Sequence, residues 1–99
     1  MAEKKISPIH PGETLFEEFL KPMEISKRQL SESINVTENL IGDIIKGKIS
    51  ITATIALRLG RYFGMSPQFW LGLQNHYDLA IAEDEFEGQI EQEVVPYAA

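Results

Sequence analysis

Residues 26–48 gather side chains that could hold and read a nucleic acid. Lys27, Arg28, Lys46 and Lys48 offer positive charge to phosphate oxygens, and the Ser26 and Thr37 hydroxyls can add neutral contacts beside them. Asn39 carries an amide able to pair bidentately with adenine, and the Glu38 carboxylate can accept from cytosine N4. Each residue also has a plainer reading. Lys27 and Arg28 could be ordinary solvated surface. Thr37 is explained by helix capping alone. Glu38 in a first turn suits the positive end of a helix dipole, which is the more economical account of it. Asp43 lies one turn beyond Asn39 and would repel phosphate. Gly42 leaves room for a close backbone approach, at a cost to its helix of about 1 kcal/mol relative to Ala.

Catalytic chemistry finds no comparable grouping. His10 and His76 are far apart and neither belongs to a His-Glu-x-x-His spacing. There is no Cys, so thiolate nucleophiles, thiolate metal sites and disulfides are ruled out. No Gly-rich phosphate loop is present. Glu17-Glu18 and Glu83-Asp84-Glu85 read as solvated helix faces rather than an acid/base pair. The sequence therefore predicts a binding protein with no catalytic residues, no metal and no cofactor.

Two short helices joined by a tight turn must position the residues at 26–48. Ser26 can cap the first of them, with Gln29 reaching back in a capping box. Asn35-Val36 makes the turn, Thr37 caps the second helix, and Gly47 ends it in a left-handed conformation. Leu30, Ile34, Val36, Ile41 and Ile44 face inward. This spacing is that of a helix-turn-helix DNA reader spanning residues 26–47.

The rest of the chain also reads as helical. Pro11 suits a first helical position, and Leu15, Phe16, Phe19 and Leu20 form the apolar face of a helix that Pro22 stops after about Leu20. The second and third helices cover about 27–34 and 38–46. Thr52 caps a fourth helix through Ile55, Ala56, Leu59, Tyr62 and Phe63, ended by Gly64. Ser66-Pro67 starts a fifth, predicted to run to about Asp84, with Gly88 as a break. Phe16, Phe19, Phe63, Phe69 and Trp70 are assigned to the core. Helix five offers more apolar surface than one small core needs, so Trp70, Leu73, Tyr77 and Ile81 are candidates for a two-fold interface. Such a dimer would set two recognition helices about 34–36 Å apart on one DNA face.

The 99 residues make room for one domain with a modest core. The expected organisation is a flexible N-terminus at 1–9, the helix-turn-helix domain at 10–84 and an acidic tail at 85–99, partly extended. No apolar run approaches the roughly 20 residues of a membrane span, and no signal-peptide core is evident, which together point to the cytoplasm. The net charge is −6 but unevenly placed. Residues 1–61 hold all nine Lys and Arg and eight acids, net +1, whereas residues 62–99 hold seven acids and no base, net −7. DNA affinity must then depend on where charges sit rather than on their sum.

Five short helices around one core, with the second and third as the reader, resemble the Cro/phage-repressor architecture: all-α and lambda-repressor-like. The flanks narrow the resemblance. Ile9-His-Pro-Gly-Glu-Thr-Leu-Phe-Glu-Glu-Phe-Leu-Lys-Pro22 is similar to the opening of HigA-type antitoxins, also called virulence-associated protein I. Ala56-Leu-Arg-Leu-Gly-Arg-Tyr-Phe-Gly-Met-Ser-Pro-Gln-Phe-Trp-Leu-Gly-Leu-Gln-Asn-His-Tyr-Asp-Leu79 resembles that family's fourth and fifth helices. The resemblance implies a small cytoplasmic homodimer that neutralises a HigB-like mRNA-cleaving toxin and represses the shared operon through palindromic DNA. Two alternatives stay open: a stand-alone regulator with no toxin, and a protein-interaction module with little DNA affinity.

Overall fold

The first helix begins where the sequence places it but not with the predicted geometry. The computed structural model describes residues 8–98; the loose segment expected at 1–9 lies outside them as far as residue 7. Helix α1 (Pro11–Thr14) has Pro11 in its first turn, and the His10 side chain caps it by accepting from the Gly12 N–H at 2.9 Å. It passes directly into a π-helical turn at Leu15–Leu20, where the Lys21 N–H reaches the Phe16 carbonyl at 2.9 Å. A single regular helix was expected there. Residues five apart stand about 140° apart around an α-helix. The wider turn brings Leu15 and Leu20 round to the same side, and both are fully buried.

Helices α2 (Lys27–Ile34) and α3 (Glu38–Ile45) obey their local signals closely. The Ser26 hydroxyl accepts from the Gln29 N–H at 3.0 Å. The return bond that a capping box would need from the Gln29 side chain is absent among the described residues. Asn35 ends α2 in the left-handed region, at φ 61° and ψ 50°. The Thr37 hydroxyl caps α3 at the Leu40 N–H, 3.1 Å away, and Gly47 comes after it at φ 76°. Helix α4 (Ala53–Phe63) starts at Thr52 and ends at left-handed Gly64.

Helix α5 (Pro67–Glu93) overturns an expectation. It has 27 residues and runs straight through Gly88, well beyond Asp84. Its length is about 40 Å at 1.5 Å per residue. One Gly costs only about 1 kcal/mol relative to Ala, and the surrounding Ala82, Glu83, Glu85, Gln89 and Glu91 are good helix formers. Gln89 also donates to Glu93 one turn on, at 3.1 Å. Most of the expected acidic tail is thus helix, and extended backbone begins at Val94.

The core joins the π-helical turn to α2, α3, α4 and α5 through Leu15, Leu20, Leu30, Ile34, Ile41, Ile44, Ile51, Ile55, Ala56, Leu59 and Trp70. Phe19 sits at the centre of an aromatic cluster, with ring centroids 4.9 Å from Phe63 and 5.0 Å from Trp70. Two of the five aromatic residues assigned to the core lie at its edge instead: Phe16 and Phe69 stay more than a third exposed. Trp70 is the opposite case. It is completely buried, which removes it from any dimer surface.

Candidate nucleic-acid interface

The exposed first turns of α2 and α3 carry the candidate contacts. Ser26, Lys27 and Arg28 lie exposed at the start of α2, and Thr37, Glu38 and Asn39 lie exposed at the start of α3. Apolar residues of the same helices face the core, so helical periodicity alone turns these polar residues outward. Lys46 and Lys48 are exposed just beyond α3. Asp43 is half-buried, and its carbonyl accepts from the Lys48 N–H at 2.9 Å, closing the end of the helix.

Arg28 is not idle in the free protein. Its Nε donates to Glu32 at 3.2 Å, with both side chains more than two-thirds exposed. Such a surface pair is worth only a few tenths of a kcal/mol and weakens in salt. Exchanging Glu32 for a phosphate therefore costs little.

Three anchors that sequence reasoning missed hold α2 and α3 in place. Arg58 on α4 donates to the Ile34 carbonyl at 2.8 Å, tying the end of α2 to α4. Buried Gln74 on α5 accepts from the Ile51 N–H at 2.7 Å and donates to Asp78 at 3.0 Å, fixing the link after α3. Gly12 packs directly on the end of α3, where a Cβ would lie 1.7 Å from the Ile44 carbonyl oxygen. No local pattern announces these anchors, because Ile34, Ile51 and Ile44 are each more than 20 residues from Arg58, Gln74 and Gly12 along the chain.

His10 lies beneath the same region. Its ring packs edge-on against Tyr77, centroids 4.9 Å apart, and contacts the space beside Gly47. Burial lowers its pKa from 6.5, against smaller opposing effects from the Asp78 charge and the Ile49 backbone. His76 is exposed on α5. Among the described residues no group of three or more His, Asp and Glu gathers in a way that could hold a metal ion.

The remaining dimer candidates, Leu73, Tyr77 and Ile81, are half-buried. The large apolar side chains left open on α5 include Leu79, Phe86 and Ile90. No helix among the described residues is long and apolar enough to cross a membrane.

Comparison with known proteins identifies this arrangement. Residues 16–70 match the family model described as Helix-turn-helix. Virulence-associated protein I of Dichelobacter nodosus is 45% identical over 83 residues, covering 84% of this chain and 77% of that protein. Antitoxin HigA-1 of Vibrio cholerae is 38% identical over 79 residues, covering 80% of this chain and 74% of that one. The chain belongs to the helix-turn-helix family that includes the HigA antitoxins. A solved structure of Pseudomonas aeruginosa antitoxin HigA with higBA promoter superposes with a TM-score of 0.88 at 44% identity, covering 92% of this chain and 99% of that one. The HigA-like fold thus extends over the long fifth helix as well as the reader.

Proposed function

We propose that this HigA-family protein is an antitoxin that neutralises a HigB-like mRNA-cleaving toxin and represses its own operon as a homodimer on palindromic DNA. The observation that carries this reading is the pair of exposed polar first turns on α2 and α3, set on a backbone that superposes on a promoter-bound HigA. It works by binding, in the cytoplasm, and not as an enzyme.

In this reading Lys27, Arg28 and the Ser26 hydroxyl hold phosphates at the start of α2, and Lys46 and Lys48 hold the backbone beyond α3. Asn39 reads adenine from the first turn of α3, with Thr37 beside it as cap and neighbour. Glu38 and Asp43 place negative charge near the groove. They favour selectivity over raw affinity, because they penalise wrong sequences more than they help right ones. Leu79, Phe86 and Ile90, at helical spacing on α5, supply the self-complementary dimer surface.

The test is binding to DNA flanking the protein's own gene against a scrambled fragment, from about 0.05 to 0.2 M salt. Tight, sequence-dependent binding with a clear salt slope is expected. Lys27→Ala should weaken all sequences alike and reduce the slope by about one, while Asn39→Ala should cost about 1–3 kcal/mol at one base position only. Equal weak binding to both fragments would overturn the repressor reading and leave toxin binding as the function.

A further inference from the structure

We infer that the C-terminal segment Glu91–Tyr97 of one copy docks in a cavity on the body of a second copy. The cavity, about 350 Å³, lies between the end of α2 and the outer face of α4. Ser33, Asn35, Leu57, Arg58, Arg61 and Tyr62 line it. That volume is at the lower end of what a ligand pocket encloses. Its rim is apolar at Leu57, which is 59% exposed, and its charge is purely basic.

The segment has the complementary chemistry. Val95 and Tyr97 are 86% and 95% exposed, so the chain's own body does not cover them. Glu91 and Glu93 precede them, and no Lys or Arg occurs after residue 61. Two carboxylates, then an aliphatic and an aromatic side chain, suit two guanidinium groups beside Leu57 and Tyr62.

Its own cavity is out of reach. Tyr62 packs 4.8 Å from Phe63, whose ring lies 6.1 Å from Trp70, so the cavity sits level with the start of α5. From Trp70 to Glu93 the helix travels about 35 Å at 1.5 Å per residue. From Val94 to Tyr97 the segment spans at most about 14 Å when fully extended. The occupant must come from another molecule, and a basic partner would be repelled by Arg58 and Arg61. A second copy brings the matching segment automatically, and in a two-fold dimer both segments dock.

This inference rests on the homodimer reading, and adds a contact distinct from the α5 surface. Because the chain lacks cysteine, a disulfide trap is clean. Full-length protein carrying Ser33→Cys is mixed with full-length protein carrying Tyr97→Cys, oxidised, and run without reductant. A covalent dimer is expected. Arg61→Glu on the first copy should cut its yield about tenfold, and adding Glu91→Arg and Glu93→Arg to the second should restore it. No covalent dimer, or a yield indifferent to Arg61→Glu, would overturn the docking. So would a chain carrying both cysteine substitutions that closes on itself as a monomer. Sedimentation of the unsubstituted protein separates the two claims. A dimer without the cross-link removes the docking and keeps the α5 interface, whereas a monomer removes both.

Discussion

Gly42 lies three residues past Asn39 on α3, and a methyl group added there meets nothing within 4 Å. Gly42→Ala should therefore gain helix propensity of up to about 1 kcal/mol. For a domain of this size that is a rise of about 4–8 °C in Tm. If the backbone comes close to DNA at this point, the same methyl group should weaken operator binding. Higher Tm with lower affinity is expected, and unchanged affinity would mean that the DNA stays clear of Gly42. His10 makes a second prediction. Burial lowers its folded pKa below 6.5, so on acidification the unfolded chain takes up the proton first. Stability should be flat above that value, decline as pH falls through it, and level off once the folded pKa is passed. His10→Asn should reduce the decline between about pH 7 and 5 in a denaturant titration; an unchanged pH profile would exclude His10 as its source. At this scale the caps Ser26, Thr37, Thr52 and Ser66 were legible in the sequence because a cap acts on a backbone N–H two or three residues away. Arg58, Gln74 and Gly12 were not, since their partners are set by tertiary packing.

The helices themselves show the same division. Starts were legible, and so were stops made by a left-handed residue, as at Asn35 and Gly64. The α5 terminus was not. Gly88 read as a break, yet glycine alone lacks the free energy to end a helix whose neighbours favour it. The π-helical turn was equally hidden, because Leu15 and Leu20 are compatible with a regular helix until the core demands both. Gly88→Ala should strengthen the outer part of α5 by up to about 1 kcal/mol, seen as increased helical circular dichroism and slower amide exchange at 85–93. No change in exchange would show that the outer helix is already held by something other than its own propensity.

Charge distribution decides how the whole molecule responds to salt. In the proposed dimer, two copies meeting through Leu79, Phe86 and Ile90 bring Glu83 and Glu87 of each close to the seam, with no Lys or Arg on either helix. Salt screens that repulsion, so the α5 contact, followed in the Arg61→Glu protein that lacks the docking contact, should tighten as ionic strength rises from about 0.05 to 0.5 M. Operator affinity per dimer should fall over the same range. Sedimentation and fluorescence anisotropy, run in parallel, check the opposite signs. A dimer constant indifferent to salt would place the acids outside the interface. With the opposite signs, repression is strongest at an intermediate ionic strength, where the dimer is assembled and its phosphate contacts still hold.

A gene that lost one codon between Leu15 and Leu20 would encode a more regular helix. The wide turn would close to α geometry, and Leu15 and Leu20, then four apart, would still stand within about 40° of each other on the buried side. Gly12 would keep its place on the end of α3 and Phe19 its ring neighbours. A codon lost from the regular α2 would instead turn the chain before it by about 100°; the wide turn thus holds one residue in reserve, and a deletion that looks ruinous on paper would leave the DNA-facing end of the protein where it was.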